Sequence, residues 1–124
     1  MGCGGILRDK IGNIASPTQP EGYYPPLLKC TWVIIAPPKQ IVQLTWMTFN
    51  LEQSYECSYD NVQVFDNNTE LGMGGLIGTY CGFTLPPILL SSSNIMTVVF
   101  TTDITIHMDG FLASYTFIPE TNGK

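Results

Sequence analysis

Trp46-Met-Thr-Phe-Asn-Leu-Glu-Gln-Ser-Tyr-Glu-Cys-Ser-Tyr-Asp60 is the stretch that decides how this 124-residue chain folds. Leading into it, Val42, Leu44 and Trp46 alternate with Gln43 and Thr45, after which Phe49 and Leu51 carry the apolar positions on the opposite parity. A period of two is a strand, and the change of parity between Trp46 and Phe49 predicts a β-bulge that keeps the aromatics facing inward. Glu52 stands just past the last apolar position, and Asp60 follows shortly after Cys57. Carboxylates gathered on one loop repel, so such a loop calls for a cation or a positively charged partner. Asp103 is the candidate third acid.

Working outward, Cys30-Thr-Trp-Val-Ile-Ile35 reads as a strand with Cys30, Trp32 and Ile34 on one face, broken by Ala36-Pro37-Pro38. Asn61 to Phe65 and Leu76 to Cys81 read as short strands. Ile95 to Phe100 and Phe111 to Phe117 alternate with one buried face. Ile88 to Leu90 are expected to pack inward. Cys3 to Ile14 reads as an irregular entry or an edge strand. Ser16 to Pro26 carries Pro17, Pro20, Pro25 and Pro26, which excludes helix and central strand and predicts a loop laying Tyr23 and Tyr24 over a sheet end. Seven or more short strands, turn signals between them and no helical period predict an all-β, antiparallel two-sheet sandwich.

Composition narrows the function. At 13.7 kDa the chain is expected to be one domain with a genuine core, spanning residues 3–118. Residues 119–124 read as a tail or linker. Met1-Gly2 reads as an added start on a domain of a larger secreted or membrane-anchored protein. A net charge of −5 and a pI near 4.5 disfavour nucleic acid and anionic membranes and favour cationic partners. No apolar run approaches the roughly 20 residues of a membrane span.

Cys3, Cys30, Cys57 and Cys81 form no Cys-x-x-Cys pair, which argues against zinc. Three pairings are open, and sequential bridging is the economical one. Cys3–Cys30 and Cys57–Cys81 would each close a loop of roughly 25 residues, worth about 3.5 kcal/mol in the chain-entropy description. Disulfides place the chain in an oxidising extracellular setting, and the sequon Asn67-Asn-Thr69 suits glycosylation there.

The order of Cys3-Gly-Gly5, Ser16-Pro17, Tyr24-Pro25, Cys30-Thr-Trp32, Phe49-Asn-Leu-Glu52, Cys57-Ser-Tyr-Asp60, Tyr80-Cys-Gly82, Phe100-Thr-Thr-Asp103 and Gly110-Phe-Leu-Ala113 with Tyr115 resembles the CUB domain family. The resemblance covers Cys3 to Ile118. It implies a jelly-roll-like sandwich with two sequential disulfides. It also implies Ca2+ held by Glu52, Asp60 and Asp103 with a carbonyl at Thr105, since Ca2+ takes six to eight oxygen ligands. A Lys or Arg of a partner protein would then face Glu52, Asp103 and Thr105, with Tyr59 buttressing the site; apart from the resemblance, the lone His107 is a candidate pH-sensitive contact. The loop Ile104 to Asp109 departs from the family in being apolar, so that Ile104, Ile106 and Met108 would add a rim.

Blander readings stand beside these. The acids could be unrelated surface charges, and Tyr59 a packing residue beside Cys57. His107 reads first as a solvated loop histidine. Trp32 and Trp46 read as core, and Asp9, Asp66, Glu70 and Glu120 as ordinary solvated acids. One histidine, no Gly-x-Ser-x-Gly elbow and no His-Glu-x-x-His leave no catalytic set to assemble. A two-carboxylate glycosidase built on Glu52 and Asp60 would need a raised pKa that a neighbouring calcium opposes. The expectation is a noncatalytic, calcium-dependent protein-binding module, with a metal-free structural spacer as the alternative.

Overall fold

Alternating apolar positions can bury one face of a strand only against a second sheet, and the chain does this with two sheets. A computed structural model describes residues 3–17, 24–67, 75–103 and 109–120. Its strands are β1 (Gly5–Leu7), β2 (Ile11–Ala15), β3 (Lys29–Ile35), β4 (Gln40–Asn50), β5 (Asn61–Asp66), β6 (Gly75–Tyr80), β7 (Leu89–Leu90), β8 (Ile95–Thr101) and β9 (Gly110–Pro119). One sheet has the order β1-β3-β8-β5-β6, the other β2-β9-β4-β7. Among the described residues one 3-10 turn, Tyr55–Cys57, interrupts the strands.

The pairing is antiparallel with one exception. β1 runs parallel to β3, with Gly5 opposite Trp32. The chain reaches this position because Cys3 is bonded to Cys30 and because Gly4 has no side chain: at φ +89° a Cβ there would lie 2.3 Å from the Thr31 carbonyl oxygen. The expected single entry segment is therefore two strands, β1 and β2, at the edges of opposite sheets.

The core lies where the parity analysis puts it. Cys30, Trp32 and Ile34 of β3 meet Val42, Leu44 and Trp46 of β4 and Phe111, Ala113, Tyr115 and Phe117 of β9. Between Trp46 and Thr48 the β4–β9 register shifts, making Met47 the extra residue of a bulge that returns Phe49 to the inner face opposite Phe111. Phe111 is the centre of an aromatic cluster, 5.2 Å from Phe100, 5.8 Å from Trp46 and 5.9 Å from Trp32 between ring centroids. These rings meet edge to face, the arrangement their quadrupoles favour.

Two expectations need correction. Of Ile88 to Leu90 only Leu89 is buried, because β7 is a two-residue edge strand whose alternation turns Ile88 and Leu90 to solvent. Asp66 is not merely solvated: its carboxylate accepts the Ser92 N–H at 2.9 and 3.1 Å and the Ser92 hydroxyl, pinning the β7–β8 turn.

Candidate metal centre

β4 ends at Asn50, and the chain turns because the Leu51 N–H is claimed by the Gly82 carbonyl at 2.9 Å. Leu51 fills the end of the core and carries Glu52 under cover with it, leaving Glu52 only 6% exposed. The loop after Glu52 is held by the Cys57–Cys81 disulfide and delivers Asp60 to the start of β5. β8 runs out at Thr101, and two residues later comes Asp103. Antiparallel pairing of Asn61 with Thr101 fixes the meeting of these two ends. The result is a group of three acids, Glu52, Asp60 and Asp103, with one carboxylate oxygen of each within 4.8 Å of the others.

The support beneath them is a tyrosine that the sequence did not single out for this role. Tyr24 is fully buried, its ring edge-on to Phe100 at 5.2 Å. Its hydroxyl donates to Asp60 Oδ2 and accepts the Glu52 N–H at 3.2 Å, so one oxygen ties both acidic segments together. The other Asp60 oxygen, Oδ1, accepts the Asp103 N–H at 2.9 Å. Asp60, with no exposed surface, thus organises its two neighbours. On the far side the Asp103 carbonyl accepts the Leu27 N–H at 2.9 Å, and Thr102 Oγ1 bridges the Pro25 carbonyl and the Leu28 N–H. Gly110 closes the same end of the sandwich: at φ +97° a Cβ would fall 1.9 Å from Ser16 Oγ, the atom that accepts the Phe111 N–H.

The carboxylates repel one another here. Burial raises the Glu52 carboxyl above its ordinary value, and the charges of Asp103 and Asp60 push it further the same way. Burial raises Asp60 as well; its hydrogen bonds from Tyr24 and the Asp103 N–H oppose the rise, and the Asp103 charge adds to it. Burial, then the hydrogen bond to Asp60, raises the Tyr24 hydroxyl far above its usual range and keeps it a neutral donor.

Glu52 Oε1 is buried without a hydrogen-bond partner, as are Asn50 Oδ1 and Asn61 Oδ1 on the flanking residues. Buried acceptors are ordinarily satisfied, so the orphaned Glu52 oxygen among repelling carboxylates suits a hard divalent cation taking oxygen ligands. These residues therefore fit calcium.

A pH dependence follows in calcium-free buffer. Glu52 and Asp60 hold protons more tightly folded than unfolded, so stability contributed through them falls as pH rises from the ordinary carboxyl value, 4.5 for Glu52, through the raised folded one. Thermal melts in EDTA are expected to find Glu52→Gln more stable than the parent near neutrality, with the advantage vanishing below the ordinary carboxyl range. A constant difference at all pH values would contradict the raised carboxyl of Glu52.

The remaining expected site residues are distributed as follows. Tyr59 is exposed, its N–H donating to Ser54 Oγ at 3.1 Å. Thr105, His107 and the apolar rim of Ile104, Ile106 and Met108 lie outside the described residues. Both disulfides are sequential, Cys3–Cys30 and Cys57–Cys81. Asn67 is half-buried with its carbonyl accepting the Thr97 hydroxyl at 2.6 Å, and the rest of its sequon lies outside the described residues.

Comparison with known proteins converges on one family. The sequence model described as CUB domain matches residues 3–115. Procollagen C-endopeptidase enhancer 1 of Homo sapiens is 39% identical over 122 residues, covering 98% of this chain, which spans 27% of that relative's length. The full extracellular region of zebrafish Gpr126/Adgrg6 superposes with a TM-score of 0.82 at 35% identity, over 96% of this chain and 15% of that one. The MASP-1 CUB2 domain bound to Ca2+ superposes with a TM-score of 0.79 at 24% identity, over 93% of this chain and 99% of that one, a likeness of fold.

Proposed function

The chain belongs to the CUB domain family and is an extracellular domain, and from that premise we propose that it is a noncatalytic, calcium-dependent module that captures a basic side chain of a partner protein. The observation that carries the proposal is the buried, unpartnered Glu52 Oε1 within a group of three carboxylates. The related fold of MASP-1 CUB2 holds Ca2+, which is consistent with this reading. Glu52, Asp60 and Asp103 would hold the ion, with the Thr105 carbonyl as a backbone ligand. When bound, Ca2+ supplies the positive charge that lets three acids share one end of a sandwich. Tyr24 and the Asp103 N–H keep Asp60 in place. Glu52 and Asp103 then present residual negative charge to a Lys or Arg, with Tyr59, Thr105 and His107 around it. Asn67 is a candidate glycosylation site at the β5 end.

Calorimetric titration with calcium tests this. Saturable heat is expected for the parent chain and none for Asp103→Ala at the same concentrations. At a free calcium concentration of about 100 times Kd, mass action adds about 2.7 kcal/mol of stability, read as a higher melting temperature. No binding up to millimolar calcium would leave the domain as a metal-free spacer.

A further inference from the structure

A second feature stands apart from the acids. Gly82 is hydrogen-bonded to Leu51 and Leu89 is paired with Leu44, so the connection between them runs alongside the Thr45-to-Asn50 portion of β4. Along this flank Phe83 is 59%, Leu85 53%, Ile88 60%, Leu90 49% and the bulge residue Met47 55% exposed. No Asp, Glu, Lys or Arg occurs from Gln40 to Leu51 or from Leu71 to Thr102, so the strip and the strands beneath it are free of charge. Isolated exposed apolar residues need no explanation, but five side chains lining one flank form a patch of roughly 500 Å2, within the size range that marks an interaction surface.

We infer that this flank is a two-fold contact with a second copy of the chain, Met47, Phe83, Leu85, Ile88 and Leu90 of one packing against the same residues of the other. Charge restricts where copies can meet. Each carries a net charge of −5 with the three acids gathered at one end of the sandwich, so approach through that end is repelled. An uncharged flank parallel to the strands lets two copies associate with those ends apart. Area sets the strength: complete burial of both strips would remove about 1,000 Å2 from water, the bottom of the range for a specific interface, which gives a weak, reversible dimer. The same patch on both partners is what a closed two-fold assembly requires.

Sedimentation equilibrium of the full chain in EDTA, from about 1 to about 500 µM, tests this without involving calcium. A monomer–dimer equilibrium is expected, weakened at least tenfold by Ile88→Lys and by Met47→Lys, each of which puts an unpaired charge into the apolar contact. Both positions are exposed, and circular dichroism would verify folding of each variant. Leu76→Lys, exposed on the edge strand β6 of the other sheet, is expected to leave the equilibrium unchanged. A monomer at every concentration overturns the inference and leaves the strip to a different protein. So does a dimer insensitive to Ile88→Lys and Met47→Lys, or growth past the dimer.

Discussion

Phe111→Ala is expected to lower the stability of the domain by about 3–5 kcal/mol, the range for deleting a buried aromatic that its surroundings cannot replace. The ring is 3% exposed and touches residues of both sheets: Trp32 and Phe100 from one, Trp46 and Phe49 from the other. A cavity at this point removes edge-to-face partners from several rings at once. The surrounding strands are held by the β4–β9 and β3–β8 ladders and cannot close over it. Urea unfolding followed by tryptophan fluorescence would measure the change, since both tryptophans border the cavity. A loss below about 1 kcal/mol would place the weight of the core elsewhere.

The second large effect is expected at Asp60. Asp60→Ala removes the acceptor for both the Tyr24 hydroxyl and the Asp103 N–H. Each orphaned donor costs about 1–3 kcal/mol, offset in part by relief of the repulsion on Glu52. A net loss of about 1–3 kcal/mol is expected in calcium-free buffer, together with complete loss of the calcium-induced rise in melting temperature. Asp60→Asn removes the charge and keeps one of the two acceptor oxygens, enough for either the Tyr24 hydroxyl or the Asp103 N–H. It should lose less metal-free stability than Asp60→Ala and still fail to respond to calcium. The contrast between the two variants separates the structural duty of Asp60 from its ion-holding duty. An Asp60→Asn domain fully stabilised by calcium would refute the latter.

Much of the architecture was legible because alternation is a local signal. The inner faces of β3, β4, β8 and β9 follow from parity alone, and the bulge after Trp46 follows from a break in it. β7 was not legible, since Ile88-Leu89-Leu90 is apolar throughout and carries no alternation to say which side chain turns inward. The parallel pairing of β1 depends on a crosslink and on a glycine lacking a Cβ, neither of which has a pattern. At the acidic end, Glu52 and Asp60 stand out on one loop, whereas Asp103 joins them by family position, because Asp60 and Asp103 are 43 residues apart and only strand pairing brings them together. Tyr24 escaped notice as a site residue because a tyrosine among prolines reads as packing. Its packing is real, and the hydroxyl at its tip is what the acids rest on.

The Cys3–Cys30 bridge also governs how the domain would carry tension. The chain enters at the acidic end, where Cys3 is bonded to Cys30 at the start of β3, and leaves at the opposite end, where β9 finishes at Pro119 opposite Gln40. A pull between entry and exit bypasses β1 through the covalent bridge and acts lengthwise on β3 and β9. Each lies between two neighbours, β3 between β1 and β8, β9 between β2 and β4. Their ladders would be loaded in shear, many hydrogen bonds together, rather than unzipped singly from an edge.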